Sequence, residues 1–183
     1  MILYINACVR KESRTDRLAR VLLDKLGCYE EVKLTDSGIK PLNEESLNYR
    51  TVQAAKGNFD DSIFEPAKQF AEADKIVIAA PYWDGMFPAV LRTYIENIYS
   101  VGIVSVYDEN GNPKGLCKAD KLYYVTTAGG RYNPKFSFDY ITYLAKYMFG
   151  IKETELVCAE YLDIEGNDAE AILAEAMRRV EEM

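Results

Sequence analysis

The sequence contains no histidine among its 183 residues. This absence excludes Ser-His-Asp and Cys-His hydrolase mechanisms in their usual form, and also histidine-based zinc sites, because each depends on an imidazole as base or ligand. The four cysteines, Cys8, Cys28, Cys117 and Cys158, have no paired spacing, so they indicate neither a zinc cluster nor a disulfide framework. Any catalysis must therefore depend on carboxylates, lysines, tyrosines, backbone groups or a bound cofactor.

The chain also lacks an excess of basic residues and a long apolar run. Its formal net charge of -7 argues against nucleic acid and anionic membrane surfaces as partners. No apolar run reaches the length of a membrane span, and the first residues enter a strand pattern without the basic start of a signal peptide. We therefore expect a cytoplasmic protein with reduced thiols, whose residues 1–183 form a single domain.

Strand and helix patterns alternate along the chain. Strands are predicted at 2–7, 29–34, 75–80, 121–127 and 154–162. Helices are predicted at 15–26, 44–56, 88–100 and 136–149. Two further helices are predicted, one from Asp60 or Asp61 through Ala73 and one that starts at Asp168. The alternation predicts an α/β fold with a doubly wound, five-stranded parallel sheet and helices on both faces, since parallel neighbours need crossover helices. Two strand orders are common in such sheets, and the alternation does not choose between them.

Residues 102–120 interrupt the alternation between the fourth strand and the helix before it. The pair Asn110-Gly111 lies within this segment and is typical of a tight hairpin turn. We therefore predict a hairpin-like insertion, which could serve as a lid, a dimer contact or decoration.

The loop after the first strand carries hydroxyl side chains and leads into a helix N-terminus. Backbone donors and the positive end of the helix dipole attract anions there. Ser13 and Thr15, together with Arg14, therefore predict a phosphate site; the alternative is that Ser13 or Thr15 serves only as an N-cap. The loop contains neither G-x-G-x-x-G nor the G-K-[ST] ending, so the Rossmann fingerprint and the P-loop are absent.

The loop after the third strand is aromatic. Pro81 ends the strand, Tyr82 and Trp83 follow at once, and Trp83 is the only tryptophan in the chain. Ligands of open α/β sheets bind at the carboxyl ends of strands, and exposed ring faces suit a flat conjugated ligand. We expect Pro81 to Trp83, with Asp84 and Gly85, to line such a ligand; the alternative is that the aromatic rings only cover the sheet edge.

The loop after the fourth strand carries a glycine pair. Gly129 and Gly130 follow Thr127 and Ala128, and paired glycines let the backbone approach a ligand closely. A plain turn is the alternative for this loop alone. Taken together, however, the three loops match the phosphate, ring face and ring edge of flavin mononucleotide (FMN).

Four segments carry a family resemblance in the same order along the chain. They are Ser13-Arg14-Thr15 with Leu18, Pro81-Tyr82-Trp83-Asp84 followed by Leu91-Arg92-Thr93-Tyr94-Ile95-Glu96, Tyr107 through Gly115-Leu116, and Thr127-Ala128-Gly129-Gly130. With these segments the chain resembles the flavodoxin-like FMN-dependent NAD(P)H:quinone oxidoreductases, which include the bacterial FMN-dependent azoreductases. One departure is Asp84, where the family often has Asn.

The resemblance implies the flavodoxin-like strand order 2-1-3-4-5 and a homodimer with sites at the interface. It implies that hydride passes from NADH or NADPH through FMN to a quinone or similar flat acceptor, azo compounds included, in a ping-pong cycle. The implied flavin contacts are Ser13, Arg14, Thr15, Pro81, Tyr82, Trp83, Asp84, Gly85, Thr127, Ala128, Gly129 and Gly130, and Tyr132 would wall the acceptor pocket. No side chain is expected to be catalytic and no metal is expected. The alternative is a flavodoxin-type electron carrier that binds FMN without substrate turnover.

Overall fold

The structure, a computed structural model, describes residues 1–183. One sheet contains five parallel strands: β1 Ile2–Asn6, β2 Tyr29–Lys33, β3 Lys75–Ala79, β6 Lys121–Thr127 and β7 Glu153–Ala159. Two further strands, β4 Ser105–Tyr107 and β5 Pro113–Gly115, form a separate hairpin. The order in the sheet is β2-β1-β3-β6-β7, which is the order 2-1-3-4-5 once the hairpin strands are left out. The helices are α1 Arg14–Leu26, α2 Glu44–Ala55, α3 Glu65–Glu72, α4 Ala89–Ile98, α5 Phe138–Tyr143 and α6 Ala169–Glu182. The predicted parallel sheet is therefore confirmed, and β2 lies at its edge as its mixed polarity suggests.

The sheet is buried on both faces because successive side chains of each strand point to opposite sides. Leu3 and Ile5 of β1 pack with α3, α4 and α5, whereas Tyr4 packs with α1 and α6. The helices on the two faces bury the apolar residues that their sequence spacing predicts, including Leu173 and Val180 of α6. The exception is α2, none of whose residues is buried. None of the helices combines the length and the apolar character that a membrane crossing requires.

The predicted hairpin is confirmed. Strands β4 Ser105–Tyr107 and β5 Pro113–Gly115 pair antiparallel. The Asp108 carboxylate accepts the backbone N–H groups of Asn110 and Asn112 at 2.9 and 2.8 Å, which fixes the turn. The backbone of β5 also packs closely against the backbone at Gly150. The approach is so close that a β-carbon on Gly115 would collide with it.

The prediction of one regular helix at 136–149 is wrong. The chain forms a 3₁₀ turn at Pro134–Phe136, then α5, then a π-helix at Leu144–Phe149 that ends at Gly150 in the left-handed region. The wide π turns carry Phe149 into the core, where its ring lies 5.0 Å from that of Phe70. The helix predicted to run through Ala73 likewise begins as a 3₁₀ turn, Ser62–Phe64, and becomes α3 at Glu65. The first departure involves contacts distant in sequence, which a local apolar period does not encode, whereas the second is local, since the Asp61 side chain caps the 3₁₀ turn by accepting the N–H of Ile63.

Candidate functional site

The loops that follow β1, β3 and β6 meet at the carboxyl edge of the sheet. They surround a cavity of about 350 Å³, within the range typical of small-molecule sites. Nine of its lining residues are among those predicted from sequence: Ser13, Arg14, Thr15, Pro81, Tyr82, Trp83, Thr127, Ala128 and Gly129. The other lining residues, which the sequence patterns did not single out, are Val9, Arg10, Glu12, Leu162 and Asp163.

The first turn of α1 forms one end of the cavity. Ser13 is the N-cap, with φ -107° and ψ 124°, and its Oγ accepts the N–H of Asp16 at 3.4 Å while its carbonyl accepts the N–H of Arg17 at 3.0 Å. The N–H groups of Arg14 and Thr15 have no acceptor within the protein. Free donors at the positive end of a 13-residue helix are suited to binding an anion.

Thr127 ties the three loops together. Its Oγ1 lies 2.7 Å from the Oγ1 of Thr15, and its carbonyl accepts the N–H of Tyr82 at 3.0 Å. Both threonines are buried, so these hydrogen bonds are shielded from competing water. The loops after β1, β3 and β6 are thereby linked to one another by hydrogen bonds within the protein.

The aromatic loop forms the other end of the cavity and closes on itself. Trp83 and Met86 exchange two backbone hydrogen bonds of 2.8 Å, and Asp84 and Gly85 between them have φ values of 49° and 83°. Two successive positive φ values make a tight turn, for which Asp-Gly is a strong sequence signal. Asp84 and Gly85 therefore lie in this turn and do not line the cavity, whereas Tyr82 and Trp83 do.

A fourth segment, residues 161–163, completes the wall beside the glycine loop. The N–H groups of Leu162 and Asp163 donate to the carbonyls of Ala128 and Gly129 at 3.2 and 2.9 Å. A β-carbon on Gly129 would displace the Asp163 carboxylate from its present position, so glycine permits this close approach. Arg14 pairs with the Asp163 carboxylate at 2.8 Å across the cavity mouth. The only sequence signal for this segment is its place after the fifth strand, where ligand-binding loops are expected.

Gly130 and Tyr132 lie beside the cavity without lining it. The Tyr132 ring packs edge-on against Tyr82, with centroids 4.9 Å apart, and its hydroxyl lies 2.8 Å from Ser137 Oγ. Burial raises the pKa of Tyr132 to about 12, although the hydrogen bond with Ser137 acts in the opposite direction. Tyr132 is thus a neutral, tethered aromatic residue in contact with the ring wall of the cavity.

The fold and the cavity define a flavodoxin-like protein. The model of the Flavodoxin_2 family, described as having the flavodoxin-like fold, matches residues 1–183. An FMN-dependent NADH:quinone oxidoreductase 2 of Clostridium acetobutylicum is 33% identical over 99% of this chain and 96% of its own length. An FMN-dependent NADH:quinone oxidoreductase of Clostridium beijerinckii is 35% identical over the same shares, 99% and 96%. The chain belongs to the flavodoxin-like family that includes these oxidoreductases.

Solved structures agree with the fold. An azoreductase from Bacillus anthracis str. Sterne superposes with a TM-score of 0.84 at 24% identity, over 99% of this chain and 96% of that one. An FMN-dependent NADH-azoreductase from Bacillus anthracis str. Ames Ancestor, in complex with FMN, gives a TM-score of 0.82 at 22% identity, over 99% and 95% of the two chains.

Proposed function

We propose that this chain is an FMN-dependent oxidoreductase that takes hydride from NADH, or from NADPH, and reduces a quinone or a similar flat acceptor such as an azo compound. The observation that carries the proposal is one cavity that joins an anion-binding helix end to an aromatic wall. The two clostridial relatives, named as FMN-dependent NADH:quinone oxidoreductases, support the same activity over almost the full length of the chain.

The cavity residues fit FMN group by group. The free N–H groups of Arg14 and Thr15, with the hydroxyls of Ser13 and Thr15, would hold the phosphate, because they are donors at a helix N-terminus. The Arg14 guanidinium pairs with the Asp163 carboxylate at the cavity mouth, so its charge there is balanced and it contributes N–H donors rather than net positive charge. This fit is supported by the backbone N–H groups of Arg14 and Thr15, which have no acceptor within the protein and belong to residues that line the cavity.

The remaining wall suits a flavin ring. Pro81, Tyr82 and Trp83 offer apolar and aromatic surface along one side of the cavity. Thr127, Ala128 and Gly129 also line the cavity. Their carbonyls already accept hydrogen bonds from Tyr82, Leu162 and Asp163, so the N–H of Gly129 is the backbone group that would meet the pyrimidine edge. We assign Asp84, Gly85 and Gly130 a supporting part, in which their backbone conformation sets the shape of the two ring-facing loops.

FMN, when bound, supplies the hydride chemistry, and the chain supplies binding and orientation. This division suits a protein without histidine, and it requires no catalytic side chain. Tyr132, held by Ser137 and packed against Tyr82, would wall the acceptor pocket. Its raised pKa, about 12, keeps the phenol neutral at physiological pH, so it offers a flat apolar surface and a hydroxyl without charge.

We propose that each chain forms a single domain and that the protein acts in the cytoplasm. We also propose that two copies assemble as a homodimer. Leu47, Tyr49 and Val52 of α2 are exposed, and α2 buries none of its residues. A groove of about 370 Å³ runs beside α2 between α4 and α5, and exposed Tyr143 stands on its rim. A second copy that covers this apolar surface would complete the packing of α2. Sedimentation at several concentrations tests this assembly, and a monomer at micromolar concentration would contradict it.

Steady-state kinetics of the FMN-loaded protein tests the activity. NADH and benzoquinone varied against each other should give parallel double-reciprocal lines, because donor and acceptor would occupy the same pocket in turn. Intersecting lines would show that both substrates bind together. Negligible NADH oxidation by yellow, FMN-loaded protein would favour the electron-carrier alternative. Protein that emerges colourless from gel filtration after incubation with FMN would contradict flavin binding itself.

A further inference from the structure

A partly buried polar network lies beneath the loop that joins β1 to α1, and we define it as Tyr4, Asn6, Asp16, Arg20, Glu31 and Lys33. Its inner members Tyr4 and Asn6 are buried, whereas the Arg20 side chain is 43% exposed. Asp16, in the first turn of α1, has a side chain only 16% exposed. Its carboxylate accepts hydrogen bonds from the Tyr4 hydroxyl at 2.6 Å, the Asn6 amide at 2.8 Å and Arg20 Nε at 3.0 Å. Asp16 therefore points into the protein rather than into solvent.

The same network holds the start of the loop. Asn6 Oδ1 accepts the N–H of Cys8 at 3.0 Å and Lys33 Nζ at 3.2 Å. Lys33 Nζ also donates to the carbonyl of Cys8 at 2.7 Å. Both backbone polar groups of Cys8 are thus fixed by side chains of the network. The course of the loop toward Ser13 is set before any ligand binds.

Arg20 balances the charge of the network. Its guanidinium binds both carboxylates of the network, Asp16 at 3.0 Å and Glu31 at 3.2 Å. The ammonium of Lys33 donates to Asn6 and the Cys8 carbonyl and brings the second positive charge of the network. Hydrogen bonding to Asp16 raises the pKa of Arg20 further above its ordinary value, and Arg20 stays charged at every working pH. Asp16 follows Thr15 directly, and an uncompensated carboxylate there would repel any anion at the helix end.

We propose that Arg20 is a positioning residue for the flavin phosphate. Arg20 compensates the negative charge of Asp16, whose carboxylate holds the loop. The first turn of α1 can therefore keep this carboxylate and still accept the dianionic phosphate. This inference rests on the proposed function, which places the phosphate at that turn. It assigns a role to a residue that does not line the cavity.

The test compares FMN with riboflavin, which lacks the phosphate, in titrations of the apoprotein. Arg20→Gln should raise the Kd of FMN about tenfold at low ionic strength and change the Kd of riboflavin less than about twofold. Adding Asp16→Asn to Arg20→Gln should restore FMN affinity to within about threefold of wild type, because the uncompensated charge is then gone. Arg17→Gln is the matched control: it removes one positive charge from the same helix, but Arg17 pairs with Glu170 rather than Asp16.

Each result decides between charge and structure. Equal weakening of both flavins by Arg20→Gln, or no rescue by Asp16→Asn, would mean that Arg20 only supports the fold, and the proposal would be overturned. An equally large loss of FMN affinity in Arg17→Gln would overturn it too, by showing a general charge effect. Wild-type protein that binds riboflavin as tightly as FMN would instead remove the phosphate assignment on which the inference rests. Thermal unfolding of each variant confirms that the compared proteins are folded.

Discussion

The two ends of the cavity are built in opposite ways. The helix end, defined by Ser13, Arg14, Thr15 and Thr127, is held by buried hydrogen bonds and by the network beneath it. The aromatic end, defined by Pro81, Tyr82, Trp83 and the turn after them, leaves Trp83 39% exposed. Met86, which closes that turn, is 37% exposed.

This difference means that the helix end is already arranged for binding, whereas the aromatic end still exposes apolar surface. The helix end already has its donors in place, so it loses little entropy when an anion arrives. The aromatic end presents apolar surface to water, which a flat ligand or a second copy of the chain would cover. We therefore expect the helix end to set affinity for the phosphate, and the aromatic end to respond to any flavin.

The sharpest test removes the hydroxyls of the helix end. Ser13→Ala with Thr15→Ala should lower FMN affinity about a hundredfold or more, because each lost charge-assisted hydrogen bond costs about 1.5–3 kcal/mol. Riboflavin affinity should fall at most about tenfold, through the lost Thr15–Thr127 hydrogen bond between the loops, since riboflavin brings no phosphate. Calorimetric titration of both flavins measures the two effects. Thr51→Ala, which removes an exposed hydroxyl from α2, serves as the control. Equal loss for both flavins would move the phosphate away from this end.

The converse test removes the aromatic surface. Trp83→Ala should weaken FMN and riboflavin alike by about tenfold, because an aromatic contact with its buried area contributes on the order of 1–2 kcal/mol. Trp83→Phe keeps a ring and should recover most of that loss. The same titrations measure it. A loss of affinity for FMN alone would contradict the division between the two ends, since the aromatic end would then depend on the phosphate.

Trp83 also reports on the aromatic end optically, because the chain has no other tryptophan. FMN and riboflavin should both quench most of its emission if the ring lies against this loop. Fluorescence titration of wild-type protein gives the result directly, with Trp83→Phe as the blank. Unchanged emission while FMN is demonstrably bound would place the ring elsewhere.

A change of pH should affect the two ends differently. A phosphate monoester has a second pKa of about 6, so lowering the pH from about 7.5 to about 5 removes most of its dianion. FMN affinity should then fall about threefold to tenfold, and riboflavin affinity should stay constant. The chain has no histidine to titrate in this range, and burial raises the pKa of the Cys8 thiol near the helix end to about 11. A parallel fall for riboflavin would show that a protein group is responsible.

Ser13, Arg14 and Thr15, which the sequence places at the helix end, all line the cavity, whereas Asp84 and Gly85 of the aromatic loop do not. The helix end is the more local of the two. A hydroxyl N-cap and the turn after it lie within a few residues, so their pattern is visible in the chain. Asp84 and Gly85 were predicted to line a ring, although Asp-Gly is itself a turn signal, and they form a turn outside the cavity lining. Asp163 was not predicted at all, since its partner Arg14 lies 149 residues away.

The same reasoning separates the parts of the fold. Alternating strands and helices predicted the parallel sheet, and family resemblance supplied the order that periodicity leaves open. The π-helix at Leu144–Phe149 was not predicted, because its course depends on the close approach of Gly115 to Gly150. Asp16 was likewise absent from the predicted site. Its carboxylate has the sequence context of a surface residue, and only the fold brings Tyr4 and Asn6 to it.

The smallest expected effect concerns Tyr132, which touches the aromatic end from outside. Ser137→Ala removes the hydroxyl that lies 2.8 Å from the Tyr132 hydroxyl, and a neutral hydrogen bond contributes about 0.5–1.5 kcal/mol. The KM for a quinone should therefore rise about twofold to tenfold, while the Kd of FMN stays unchanged. Tyr132→Phe should give the same shift, and combining both changes should add nothing, because each removes the same bond. Additive losses would mean that Ser137 acts on the acceptor pocket by another route. A shift in FMN affinity instead of KM would make Tyr132 part of the flavin site, and the aromatic end would then extend further than its cavity lining.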